Sequence, residues 1–368
     1  MSANQFTHLE INVSNIKHNL RYFRSFLSEK TKMLVLVKAY GYGHGIGDFS
    51  RILENNGIDY LAVAFPNEGI AIRQAGVQLP VIVLSAGMED YPLLIRYRLE
   101  PSLPCLETFR RFQSEAAALG EHGYPVHIKL DTGMHRLGFE KTELEALAKE
   151  LPLARSVRIA SVFSHFAASG DPSQDDFTKT QIARFQALSS FLASYLDYMP
   201  LRHLLNSPGI ERFAKEAQYD MVRLGIGLYG MSYVDRSLLR PTAYLKTPIL
   251  QVKTVRQGET IGYARAGKIT VPAAKIATLA IGYADGVNRH LSAGKACFSV
   301  NGHRAPTIGN ICMDMCMIDV SGIDVKPGDM VTVFGDDPTI FELADILGTI
   351  PYEILTTVAQ RVSRVYVF

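Results

Sequence analysis

The chain has 368 residues, enough for two domains at roughly 150 residues each. Apolar residues make up 47% and charged residues 20%, globular proportions that exclude a disordered chain, a collagen or a charged coiled coil. Lys plus Arg number 38 against 36 Asp plus Glu, so the net charge of +2 offers no broad basic footprint for nucleic acid or for a membrane surface. A small molecule or another protein is the expected partner.

Eight strand-like runs alternate with helical patterns over the first 230 residues. They are Met33–Ala39, Tyr60–Phe65, Pro80–Ser85, Leu99–Leu103, His127–Thr132, Val162–Phe166, Arg202–Asn206 and Met221–Ile226. Most are rich in Val, Ile and Leu without strict alternation, as in parallel strands buried on both faces. Helix-like segments lie between them at Ser14–Glu29, Asn67–Gln74, Leu106–Leu119, Thr142–Leu151 and Asp175–Tyr195. This alternation predicts an N-terminal (β/α)8 TIM barrel over residues 1–240, with a doubly wound sheet as the competing arrangement. From Pro241 the runs become short strands separated by Gly, Asp, Pro and Asn turns, with one helix at Ile340–Leu347. Residues 241–368 therefore read as a mainly antiparallel β domain, on which the first ten or so residues are also expected to pack.

Four cysteines do not make a disulfide framework, and the N-terminus has no signal-peptide pattern. No apolar run approaches a membrane span. A reducing, cytoplasmic setting is expected. Cys312 and Cys316 form a CxxxC pair without a second ligand pair, so they read as two same-face residues of a buried strand rather than a zinc site. No metal is expected.

Lys38 closes the apolar run MLVLVK and enters a loop with four glycines, YGYGHGIG. A lysine there is either a solvated strand end or, partly desolvated at the active face of a barrel, a nucleophilic amine of the Schiff-base-forming kind. GIGLYG at Gly225–Gly230 satisfies the dinucleotide fingerprint G-x-G-x-x-G. That fingerprint needs a helix opening at the glycines and an acidic residue about 20 positions on, where this chain has PILQVK. The alternative is a phosphate cup after the last barrel strand, built from the N–H groups of Gly225 and Ile226 with the Ser207 hydroxyl at the preceding strand end.

VKAYGYGHG around Lys38 closely resembles the lysine motif of the alanine racemase family. KLDTGMHRLGF, FSHFA, HLLNSPG, RLGIGLYG, GYARAG, IGYADG and GNICMDMCMID follow in the family's order, over essentially the whole chain. The resemblance implies a pyridoxal 5'-phosphate (PLP) enzyme that interconverts L- and D-alanine and supplies D-alanine for peptidoglycan. It implies a cofactor bound by Lys38, Tyr42, His165, His203, Ser207, Arg223, Gly225 and Ile226. Arg223 would face the pyridine nitrogen, with His165 fixing its plane and His203 stacked on the cofactor ring. An arginine, with a pKa above about 12, cannot take up a proton there, so the ring stays a weak electron sink and transamination is suppressed. The resemblance names Lys38 and Tyr263 as the two bases, with Tyr263 coming from the second subunit of a homodimer. Arg136 and the Met313 N–H would hold the substrate carboxylate. Lys129 would be open to carbamylation, and Tyr283, Asp171, Arg289 and Asp314 would line the entrance.

One departure is visible. Near the C-terminus the family commonly has a Tyr before an Arg, whereas this chain has Gln360 before Arg361. A roomier, more polar pocket follows, making serine a second candidate substrate. Two other readings are a PLP-binding protein without catalysis, which the β domain and Tyr263 argue against, and a PLP decarboxylase, whose acidic pyridine partner Arg223 does not match.

Overall fold

The computed structural model describes residues 6–368. Its contacts divide the chain into two compact units. One comprises Lys17–Gly41 and Ile46–Leu239; the other comprises residues up to Ile16, Tyr42–Gly45 and Arg240–Phe368.

The first strand, β1 (His8–Asn12), belongs to the second unit. The first unit is a closed barrel of eight parallel strands: β2 (Lys32–Leu36), β3 (Tyr60–Val63), β4 (Val81–Val83), β5 (Glu100–Leu103), β6 (Tyr124–Lys129), β7 (Val157–Phe163), β8 (Leu201–His203) and β9 (Met221–Leu224). Closure pairs β2 with β9 and sets Leu34 opposite Arg223. The apolar runs become strands because each is covered by the barrel interior on one face and by helices on the other. The helices Pro66–Gln74, Leu106–Ala118, Lys141–Glu150 and Asp175–Ala193 lie where their periodicity places them. Four further helices lie outside the expected set: Gly47–Glu54 and Ser207–Ala217 open on turn-like Gly and Ser-Pro residues, and Tyr91–Arg96 and Pro351–Thr356 are only 6 residues long.

The second unit is built on β10 (Ala243–Arg256), 14 residues long. The remaining strands are β11 (Thr260–Ile261), β12 (Gly267–Lys268), β13 (Ala273–Leu279), β14 (Cys297–Val300), β15 (His303–Pro306), β16 (Cys316–Asp319), β17 (Met330–Phe334) and β18 (Ser363–Val367). The sheet runs β15-β14-β17-β10-β1-β18, with β13 on the far half of β10 and β16 beside β13. All its pairings are antiparallel except β1 with β18. The segment Tyr42–Gly45 is held in this unit. Arg364 Nε donates to Gly43 O at 2.8 Å, and Tyr366 O–H donates to His44 O at 2.7 Å. A Cβ on Gly43 would stand 2.2 Å from Leu355 O, so only glycine fits.

The CxxxC expectation is corrected. Cys316 is buried at the start of β16, but Cys312 lies in the preceding loop. Its N–H donates to Met315 O at 2.8 Å, a tight turn that keeps the two cysteines off a common strand face.

Candidate active site

In the barrel unit the nominated residues gather at and just beyond the C-terminal strand ends, where barrel loops build sites. Lys38 follows β2 by two residues and opens a left-handed turn. Ala39, Tyr40, Gly41 and Tyr42 have φ of 52°, 55°, 63° and 49°. Each non-glycine residue there costs roughly 1–2 kcal/mol, strain of the kind that persists at functional sites. Glu68 holds the turn by accepting from the N–H groups of Ala39 and Ala64 at 2.6 and 2.8 Å.

Arg223 is 4% exposed, inside β9. Its Nη1 donates to His203 O and His203 Nδ1 at 3.0 and 3.1 Å. Its Nη2 donates to the carbonyls of Ser164 and Leu204 and to His165 Nδ1, the last at 3.1 Å. Both histidines therefore touch the guanidinium. His203 also lies flat on Phe163, ring centroids 4.9 Å apart. Burial alone pushes the guanidinium down to about 9, still protonated at neutral pH. Burial and the Arg223 charge hold His165 and His203 well below the usual histidine range, so both are neutral.

Around them the charges are mostly positive. Burial lowers the Lys38 amine, Arg136 lowers it further, and Glu68 opposes. Burial, then Arg136 and Arg223, brings Lys129 down to about 8. Arg136 is exposed on the loop after β6, whose return is fixed by Phe139 N–H donating to Lys129 O at 2.8 Å. Four cations with so little opposing charge form a site that attracts anions.

Ser207 is corrected from a strand end to the first residue of the helix Ser207–Ala217, capped by Asn206, whose side chain accepts from Gly209 N–H. Its Oγ accepts from the N–H groups of Gly225 and Gly227 at 3.0 and 3.1 Å. The hydroxyl proton is thereby left to donate outward, beside the helix N-terminus. Ile226 is buried next to it. No helix opens at GIGLYG, where residues 226–230 form a turn, so the dinucleotide alternative fails. A hydroxyl, a helix N-terminus and a cluster of cations suit a phosphate, and a buried guanidinium that can only donate suits an unprotonated pyridine nitrogen. The donor set fits PLP.

Asp171 is exposed in the barrel unit, and the remaining nominated residues belong to the β unit. Tyr42 is buried, its ring 6.1 Å from that of Tyr352. Tyr263 is 72% exposed, on a short 3-10 turn, and lines a hollow of about 700 Å³ with Cys312, Met313 and Asp314. The Cys312 and Met313 carbonyls accept from the N–H groups of Tyr283 and Ala284 at 2.9 and 3.0 Å, which joins the IGYADG and GNICMDM loops. Arg361, which the residue pattern left without a role, bridges the same two loops.

A strained lysine turn, a phosphate cradle and a buried arginine on a barrel, in a chain that carries a second β unit, define the class of barrel-plus-β-domain PLP enzymes. Family models described as "Alanine racemase, N-terminal domain" and "Alanine racemase, C-terminal domain" match residues 11–233 and 242–366. The chain is 38% identical to the alanine racemase of Methanococcus maripaludis, over 97% of each chain. It is 37% identical to that of Carboxydothermus hydrogenoformans, over 97% of this chain and 98% of the other. Among solved structures, the alanine racemase of Clostridium difficile superposes with a TM-score of 0.92 at 34% identity, covering 98% of this chain and 95% of that one. The Bartonella henselae alanine racemase with covalently bound pyridoxal phosphate superposes at 0.86 and 28% identity, over 98% and 99%. The chain belongs to the alanine racemase family, whose members are PLP-dependent isomerases. Among the described residues no helix is long and apolar enough to cross a membrane.

Proposed function

We propose that this chain interconverts L- and D-alanine by a two-base mechanism, as a homodimer in the cytoplasm, and so supplies D-alanine for peptidoglycan. The observation that carries the reading is Arg223: a buried guanidinium whose partners among the described residues are carbonyls and neutral histidines, never a carboxylate.

PLP, when bound, withdraws electrons from the substrate Cα and so acidifies its proton. Ser207, whose Oγ the Gly225 N–H holds in place, binds the phosphate with the Ile226 N–H group and the Tyr42 phenol. Arg223 can donate to the ring nitrogen but not protonate it, so returning protons go to Cα rather than to the cofactor. His165 and His203 fix the guanidinium plane. Arg136 and the Met313 N–H hold the substrate carboxylate. Lys38 Nζ, its basicity tuned by burial and Arg136, takes or gives the proton on one face of Cα. The Tyr263 hydroxyl of a second copy of the chain serves the opposite face, since one base cannot easily reach both.

Mixing Lys38→Ala and Tyr263→Phe protomers tests the shared site. Each variant is expected to be inactive alone, and heterodimers to regain part of the wild-type rate. Proven heterodimers without activity would overturn the shared arrangement.

A further inference from the structure

Arg223 is one end of a hydrogen-bonded chain that crosses five consecutive barrel strands. His203 Nδ1 on β8 meets Arg223 Nη1 of β9 at 3.1 Å. His203 Nε2 meets Ser161 Oγ on β7 at 2.8 Å. Ser161 Oγ meets His127 Nδ1 on β6 at 2.6 Å. His127 Nε2 meets Glu100 Oε2 on β5 at 2.7 Å. Ser161 and His127 are 0% exposed and His203 is 1% exposed, so no water competes for their protons.

The chemistry at the two ends fixes the bonds next to them: Arg223 can only donate and the Glu100 carboxylate only accepts. A guanidinium has only donors, so His203 Nδ1 must accept and its proton must be on Nε2. That N–H donates to Ser161 Oγ. The single serine proton is then free to reach His127 Nδ1. His127 carries its own proton on Nε2 and donates it to the Glu100 carboxylate, which only accepts. The reverse polarity is barred because arginine cannot accept. A second proton on His203 is barred too, because Nδ1–H would confront Arg223.

We propose that Glu100, His127 and Ser161 are positioning residues that anchor the Nε2–H edge of His203 and, through that ring, hold the Arg223 guanidinium toward the cofactor ring nitrogen. The proposal rests on the role given above to Arg223. Glu100 places the negative end of the chain at the base of the barrel, four hydrogen bonds from the buried cation. The polarised links strengthen the acceptor that faces Arg223 without putting a carboxylate next to it. A carboxylate in contact would offer the ring nitrogen a competing acceptor for the same N–H groups. The relay supplies compensation at a distance and leaves the guanidinium free to donate.

The test uses the full chain and begins without PLP. In 15N-histidine-labelled wild type, His203 should show one neutral tautomer with the proton on Nε2, and His127 should carry a proton on Nε2. Ser161→Ala removes the acceptor of His203 Nε2–H and should shift and broaden that N–H signal and speed its exchange with water, and Ser161→Thr, which keeps the hydroxyl, should restore it. Glu100→Gln, a change at the opposite end of the chain, should loosen His127 first. In the PLP-loaded enzyme with L-alanine, Ser161→Ala should raise pyruvate released per racemisation event by about tenfold, the scale of one buried hydrogen bond, and should lower kcat more than it changes KM. Ser161→Thr should return within about twofold of wild type. A proton on His203 Nδ1 in the wild type overturns the relay. So does a pyruvate ratio that Arg223→Lys alters and Ser161→Ala leaves unchanged. If Arg223→Lys leaves the ratio unchanged as well, the role given to Arg223 itself is what fails.

Discussion

Arg361 Nη2 donates to Asp314 Oδ1 at 2.6 Å, one residue beyond Met313. The same guanidinium donates through Nε to Asp285 Oδ1 at 2.7 Å, and Asp285 accepts from Gly282 N–H through its other oxygen at 2.9 Å. The fork thus sets the spacing between the loop that carries Tyr283 and the loop that presents Met313. The Arg361 side chain is half exposed, so the ion pairs add little to stability and their effect lies in loop geometry. Arg361→Ala should therefore lower kcat/KM for alanine by about tenfold, mainly through KM, while Tm moves by less than about 3 °C. Steady-state kinetics beside a melting curve check this. A large loss of Tm with unchanged KM would show that the fork serves folding instead.

Gly282 makes the complementary case. A Cβ there would stand 2.3 Å from both the Cys312 and Met313 carbonyl oxygens. Neither is a flexible side-chain end, so the backbone must move. Gly282→Ala is expected to destabilise the protein by about 3 kcal/mol and to displace the Met313 N–H from the position proposed for the carboxylate. Urea unfolding, together with the affinity for a carboxylate inhibitor such as propionate, reads both effects. The inhibitor should weaken more than PLP does.

Lys129 gives a pH dependence whose sign can be worked out. Its folded pKa, about 8, is below the value near 10.4 of an unfolded lysine. Between those values the unfolded chain binds more protons, so stability rises with pH through that window and the penalty is full below about 8. Lys129→Met removes a buried cation beside Arg136 and Arg223. In CO2-free buffer it should stabilise the protein at pH 7 by on the order of 1 kcal/mol, and the gain should shrink as the pH approaches 10. A lowered amine pKa also leaves more free amine to combine with CO2, giving a carbamate and a proton. 13C-bicarbonate should therefore yield a carbamate resonance that Lys129→Met lacks. An unchanged pH–stability difference between the two proteins would contradict the depressed pKa.

The barrel was legible because parallel strands buried on both faces must be written as apolar runs. Even β5, with Glu100 and Pro101 in it, kept enough of the pattern in Leu99–Leu103. The edge pairing of β1 with β18 was not legible, because its residues come from opposite ends of the chain. The helix at Ser207 was hidden because NSPG reads as a turn, although Asn206 as cap and Pro208 in the first turn are also a helix start. Lys38, Arg223 and His165 could be nominated because each stands in a compact motif. Glu100, His127 and Ser161 could not, since about 30 residues separate each from the next and only barrel closure joins them. Arg361 escaped for the same reason: its two carboxylates are 47 and 76 positions away.

Gln360 carries the remaining prediction, on substrate choice. It lies exposed in the turn just before Arg361, so the Arg361 fork fixes the backbone from which it projects. Where the resemblance implies a phenol ring, glutamine is a smaller, polar tip, and under the proposed function it would border the substrate side chain. Serine differs from alanine by one hydroxyl, which a polar pocket can accept and an aromatic wall excludes. Discrimination of this kind amounts to about 1–3 kcal/mol, or 10- to 200-fold. The native chain should therefore racemise L-serine at a measurable fraction of its L-alanine rate. Gln360→Tyr should lower the serine-to-alanine ratio of kcat/KM by about tenfold, with the alanine value held within about threefold. Equal or greater efficiency with serine in the native chain would displace alanine as the principal substrate. A ratio that Gln360→Tyr leaves untouched would place the determinant elsewhere in the pocket.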